Sequence, residues 1–139
     1  MAIKFFNAGQ YEPKIGTSGS AGIDLYANSV DDSNGSWVIG TGIHVDIPQG
    51  WAGLLIPRSS WGSEGWSLCN TIGVIDSDYR GEIIVKAERA AHKKFDRISV
   101  GDCIVQLVVT RCNNVIEPVH SLSELRPTKR GSGGFGSTN

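Results

Sequence analysis

The sequence predicts an all-β domain, and three observations carry the prediction. Short apolar runs are divided by turn clusters, glycine is abundant at 18 of 139 residues, and one stretch alternates with period two. In that stretch, GEIIVKAE (81–88), Ile83, Val85 and Ala87 share one face while Glu82, Lys86 and Glu88 share the other. The turn clusters are DDSNGS (31–36), PQG (48–50) and NN (113–114). GIHVDIP and WAGLLIP read as two strands joined by the Pro48–Gly50 turn. CIVQLVVTR (103–111) is apolar on both faces, the pattern of a strand in the middle of two packed sheets. Only SSWGSEGW (59–66) suggests a short helix, with Ser59 or Ser60 as its cap. Many short strands at this spacing build sandwiches, jelly rolls or barrels.

Length and composition bound the rest. A chain of 139 residues makes one domain that buries roughly two-thirds of its unfolded surface without disulfide or metal staples. A net charge of −1 gives no footprint for nucleic acid, so a highly charged ligand needs a locally assembled positive site. Cys69, Cys103 and Cys112 are odd in number and lack metal-type spacing; Cys69 and Cys103 read as small core side chains in a reducing compartment. No signal peptide or membrane span is evident, so the expectation is a cytoplasmic protein with no membrane partner. His44, His92 and His120 are far apart and read as surface or loop residues.

Four stretches are poor scaffold. Asp24 in SAGIDLYA is either a turn residue satisfied by local N–H groups or a functional carboxylate facing a cleft. PRSSWG (57–62) places Arg58, Ser59 and Ser60 between a strand and a possible helix start, a combination that suits phosphate, although an N-cap with a surface arginine is the commoner origin of such a stretch. In CNTIGVIDSDYRGEI (69–83), Asp76 follows Val74 and Ile75 and is either a general base whose pKa burial and neighbours adjust or a hairpin aspartate bonding its own backbone. Tyr79 offers a flat ring for a sugar, Asn70 offers both a donor and an acceptor for a base edge, and Asp78 reads as a hairpin aspartate bonding its own backbone. Gln106, inside IVQLVV, is either a satisfied core amide or a ligand contact.

The tail RGSGGFGSTN (130–139) has two glycines at phosphate-loop spacing, but Ser137 stands where the lysine belongs, and a P-loop is excluded. Composition alone makes it a flexible terminus.

Taken in order, AGIDLYA, PRSSWG, NTIGVIDSDYRGEI, VGDCIVQLV and RGSGGFGST resemble the five motifs of the homotrimeric deoxyuridine triphosphate nucleotidohydrolases (dUTPases), from about Ile15 to Thr138. The resemblance implies a β jelly roll over residues 1–126 and a flexible arm over 127–139 that closes on a neighbouring subunit's site. It implies cleavage of dUTP to dUMP and pyrophosphate, clearing dUTP and supplying the precursor of dTTP. By position, Asp76 would activate the attacking water, and Asn70 with the hairpin around Gly73 would read uracil. Tyr79 would pack under the deoxyribose, and Arg58, Ser59, Ser60 and Gln106 would bind phosphate oxygens. Asp24 would order the polar, metal-associated region. Arg130 would reach the γ-phosphate, Phe135 would stack on uracil, and Gly136 and Ser137 would add phosphate donors. Mg²⁺ would ride on the triphosphate with no direct protein ligand. The arm would be disordered without ligand and ordered with it.

Two departures from the family pattern stand out. Ser60 and Trp61 replace the usual glycine and aliphatic residue, which bears on packing between subunits, and ERAAHKKF (88–95) is atypical. The related dCTP deaminases need a glutamate at the place of Lys86, which disfavours deamination. A nucleotide-binding regulatory or interaction protein on the same fold is the alternative from another class.

Overall fold

The computed structural model describes residues 1–33, 35–90 and 97–137. In chain order the strands are β1 (Lys4–Asn7), β2 (Ile23–Tyr26), β3 (Ser29–Asp31), β4 (Trp37–Gly40), β5 (Ile43–Asp46) and β6 (Trp51–Pro57). After the one-turn helix α1 (Ser59–Ser63) come β7 (Trp66–Leu68), β8 (Gly73–Ile75), β9 (Ile84–Arg89) and β10 (Cys103–Arg111), then a 3₁₀ turn, Leu122–Glu124. They form three antiparallel sheets: β1-β5, β2-β10-β6-β8 and β3-β4-β9-β7. The all-β expectation holds.

The two four-stranded sheets supply one core. Leu25, Leu55, Val105 and Leu107 from one meet Ile39, Val85, Ala87 and Leu68 from the other, with Ile43 and Val45 of β5 closing the end. Each leucine, isoleucine or valine among them contributes about 1.5–3 kcal/mol of burial. The alternation read in 81–88 is borne out, because Ile83, Val85 and Ala87 are buried while Lys86 and Glu88 are exposed. β10 lies between β2 and β6, as its two apolar faces predict. The 48–50 turn closes with Trp51 N–H donating to Pro48 O at 3.1 Å, but β5 and β6 enter different sheets.

Helix α1 forms where expected, yet neither serine caps it. Arg58, in extended conformation, occupies the N-cap without a side-chain bond. Trp61 is buried within its own chain, stacked on Trp66 at 5.8 Å and 8°, and Trp37 meets Trp66 edge-on at 5.3 Å. The aromatic departure in PRSSWG therefore packs inward, against the same subunit. His44 is half-buried with Nδ1 2.8 Å from Arg80 O, and His120 is exposed; His92 and most of the 88–95 departure lie outside the described residues.

Candidate active site

Strand order explains how distant residues meet. Asp24 on β2 stands directly opposite Gln106 on β10, and the next strand, β6, ends at Pro57 so that Arg58 follows beside β10. Arg58 N–H donates to Ile104 O at 3.0 Å, anchoring its backbone, and its Nε lies 3.2 Å from Asp24 Oδ1. Arg58 Nη1 donates to Cys103 Sγ at 3.3 Å. That bond, ahead of the Asp24 charge, raises the pKa of the guanidinium, while burial raises that of the Cys103 thiol. A polar cavity of ≈ 260 Å³ opens here, lined by Ser20, Gly22, Asp24, Arg58, Ser59 and Gln106. Gly22 is required: a methyl there would collide with the Gln106 carboxamide, whose Oε1 packs against the bare Cα. Gln106 is thus a cavity group and Asp24 an ion-paired cleft carboxylate. Ser60 does not line the cavity.

A second cleft, of ≈ 450 Å³, forms where β7 parts from β9. Their pairing runs to Leu68 opposite Ala87, and Cys69 N–H then donates to Lys86 O at 2.9 Å. Along an antiparallel strand, backbone groups of alternate residues point the same way, so the N–H and C=O of Ile84 face the cleft beyond the end of β7. Asn70, Gly73, Ile84 and Lys86 line it over a floor that includes Leu55. Gly73 lets β8 approach closely, since an added Cβ would lie 2.9 Å from Leu55 Cβ. Cleft, apolar floor, free strand edge and amide suit a flat heterocycle with its own donor and acceptor.

Asp76 departs from the sequence reading. β8 ends at Ile75 and the chain turns outward, with Tyr79 N–H donating to Asp76 O at 3.1 Å, so the carboxylate is exposed and not enclosed by Val74 and Ile75. It lines a broad cavity of ≈ 660 Å³ with Asp46, Asp78 and Arg80. Asp78 is likewise exposed there, and it is Arg80 whose side chain bonds the backbone of the turn, Nη1 donating to Ser77 O at 2.7 Å. Arg80 Nη2 also meets Asp46 Oδ1 at 2.9 Å. The Tyr79 hydroxyl donates to Glu82 O at 2.8 Å, laying the ring over Gly81.

Arg130, Phe135, Gly136 and Ser137 belong to an exposed tail. Arg130 Nε donates to Gly133 O at 2.6 Å, and Phe135 projects wholly into solvent. The hydrogen bonds of the described tail residues close within the tail. The three cavities share no lining residue, although Ile75 of the base-type cleft directly precedes Asp76.

The dUTPase family model matches residues 11–139. This chain belongs to the dUTPase family. The deoxyuridine 5′-triphosphate nucleotidohydrolase of Escherichia phage T5 is 38% identical, with 91% of this chain and 90% of that one covered. The enzyme of the same name from Dictyoglomus turgidum is 40% identical over 91% of this chain and 88% of its own. In fold, the dUTPase of Staphylococcus bacteriophage 80alpha with dUPNHPP matches with a TM-score of 0.82 at 22% identity, covering 99% of this chain and 98% of that one. The dUTPase jelly-roll-like fold is therefore shared.

Sequence reading of this dUTPase chain missed the Ile84 edge, because a backbone edge leaves no residue-type signal, and it misplaced two thiols. Cys69 is exposed at the mouth of the base-type cleft, and Cys103 is only half-buried, facing Arg58.

Proposed function

We propose that this chain hydrolyses dUTP to dUMP and pyrophosphate through water attack at the α-phosphorus, in sites that three copies of the chain share. The observation that supports the shared site is that the Arg58 cavity has no lining residue in common with the base cleft or with the cavity that Asp76 lines, the last two adjoining at Ile75 and Asp76. Val115, Ile116, Leu122 and Leu125 lie exposed after β10, apolar surface that a second copy would cover.

In the assembled site, uracil enters the cleft, where Asn70 and the Ile84 backbone supply matching donors and acceptors. Tyr79, held by Glu82 O, lies against the deoxyribose and leaves no room for a 2′-hydroxyl. Arg58, Ser59 and Gln106 take phosphate oxygens, with Arg58 preset by Asp24. Asp76 accepts the proton of the attacking water, and its exposure on the lone chain ends when a partner closes over it. The tail's Arg130, Phe135, Gly136 and Ser137 close the site from another subunit. Positioning and charge stabilisation suffice for this transfer, so no Ser–His or Cys–His pair is needed.

Among the described residues, no group of three or more His, Cys, Asp or Glu is placed to hold a metal ion. This donor set fits Mg²⁺ arriving on the triphosphate, since Mg²⁺ keeps most of its waters and takes few protein ligands. Bound so, Mg²⁺ would supply charge neutralisation on the phosphate oxygens, and Asp24 would help order the polar region around it. The setting is compatible with the cytoplasm; no helix among the described residues is long and apolar enough to cross a membrane.

The test is a panel of deoxynucleoside triphosphates, each incubated with Mg²⁺ while pyrophosphate release is followed. Cleavage confined to dUTP is expected, with Asp76→Asn binding but nearly inactive. Ammonia from dCTP, or equal turnover of dTTP, contradicts the reading. A sedimentation mass of one chain contradicts the shared site.

A further inference from the structure

Cys103 stands on the wrong face for the core. Simple alternation along β10 would place it with Val105 and Leu107, which are buried against the opposite sheet. The register shows why it is elsewhere: Val105 pairs with Leu25, yet Cys103 pairs with Tyr26, so Ile104 is an extra residue with no partner on β2. This bulge reverses the parity of the strand. It sinks Ile104 into the core at 0% exposure and turns Cys103 to the face carrying Asp24, Tyr26 and Gln106.

There the sulfur meets the phosphate-type cluster. Arg58 Nη1 donates to Cys103 Sγ at 3.3 Å, and Tyr26 is the cross-strand partner of Cys103. Arg58 Nε is held separately by Asp24 Oδ1 at 3.2 Å. Two anchors at two nitrogens fix both the position and the plane of a guanidinium, whereas one anchor leaves it free to rotate. The Arg58 side chain keeps 39% of its surface exposed, facing the polar cavity.

We propose that Cys103 is a positioning residue for triphosphate binding: delivered by the β10 bulge, it locks the Arg58 guanidinium so that its remaining donors face the phosphate oxygens. The inference rests on the dUTPase reading above and adds a residue to it. Cys103 acts through Arg58 and touches no reacting atom. Because the bulge sets the direction of the side chain, any acceptor of similar size serves in its place, and an apolar side chain does not. Burial keeps the thiol protonated, so it remains a neutral acceptor that leaves the positive charge of Arg58 available to the ligand.

The experiment compares the full-length wild type with Cys103→Ala and Cys103→Ser. Three quantities are read: KM and kcat for dUTP with Mg²⁺, competitive inhibition by inorganic pyrophosphate, and competitive inhibition by deoxyuridine, which has no phosphate. For Cys103→Ala, a loss of roughly three- to tenfold in pyrophosphate affinity and a matching rise in KM are expected, from one lost charged hydrogen bond with its partner still held by Asp24. Deoxyuridine affinity stays unchanged, and Cys103→Ser returns pyrophosphate affinity to within about twofold of wild type because its hydroxyl oxygen accepts from Nη1. Equal pyrophosphate affinity in wild type and Cys103→Ala overturns the proposal. So does a parallel loss of deoxyuridine binding, which marks general structural damage, and so does failure of the serine variant to rescue. If Cys103→Ala does not fold, the decision falls to Cys103→Ser against Cys103→Val, with a loss only in the valine variant expected and equal affinities overturning it. Wild type that cleaves no dUTP sinks the functional reading instead, so the two failures are distinct.

Discussion

Gly81→Ala tests whether the Tyr79 ring is held where the sugar needs it. A Cβ at Gly81 would lie 2.5 Å from the Tyr79 hydroxyl oxygen and 2.9 Å from Cε2, well inside van der Waals contact. The ring must leave, and with it goes the 2.8 Å bond to Glu82 O. Tyr79 is 41% exposed, so it can swing into solvent without disturbing the core. The stability cost is accordingly that of one exposed hydrogen bond and some contact, about 0.5–1.5 kcal/mol, or a Tm lower by a few degrees. Catalysis should suffer far more, since a displacement of about 1 Å in a positioning group costs on the order of 10²-fold. The assay is kcat/KM for dUTP and for UTP side by side, with calorimetry as the stability control. The expected result is a loss of about a hundredfold on dUTP and a smaller dUTP-to-UTP ratio, beside a melting temperature lower by only a few degrees. A variant with wild-type kcat/KM and an unchanged ratio would refute the link between this ring and the sugar.

Removing residues 130–139 should abolish dUTP turnover while leaving the melting temperature within a degree or two, because the described tail bonds only to itself; full-rate hydrolysis would make the segment a passive terminus. Trp66→Ala removes the partner of both Trp61 and Trp37 and should cost about 3–5 kcal/mol, read as a lower denaturation midpoint at unchanged slope. Gly62→Ala, inside α1 with nothing within 4 Å of the added methyl, should gain about 0.5–1 kcal/mol. A loss in that variant would mean the helix face is covered in the assembly.

The sequence made the β architecture legible wherever period-two alternation met turn residues, as in 81–88, and wherever a strand was apolar on both faces, as in 103–111. Site chemistry was legible where side chains carry it: Asp24, Arg58 and Gln106 converge as their types suggest. Three features were not. The bulge at Ile104 is a matter of register and is set by pairing with β2, which no local pattern encodes, so Cys103 was assigned to the core. The open edge at Ile84 is backbone, equally available to every residue type. Asp76 was placed among apolar neighbours because adjacency in sequence was taken for adjacency in space, whereas the strand ends one residue before it.

The 3₁₀ turn at Leu122–Glu124 sets the geometry of everything after it. Ser121 and Glu124 form a reciprocal capping box: Ser121 Oγ accepts from Ser123 N–H at 3.2 Å, and Glu124 Oε2 accepts from Ser121 N–H at 2.9 Å. On the proposed reading of the tail as an arm, it starts from a fixed knuckle and would act as a tether with a defined radius. From Leu125 to Ser137 the extended chain spans at most roughly 40 Å. A group confined to such a volume is presented to a nearby site at an effective concentration on the order of millimolar, however dilute the protein. Arg130 lies near the root of that tether and Phe135 near its tip, so the arginine samples a much smaller volume than the ring. Inserted residues before Arg130 would dilute both groups, while insertions in the glycine run would dilute only the ring.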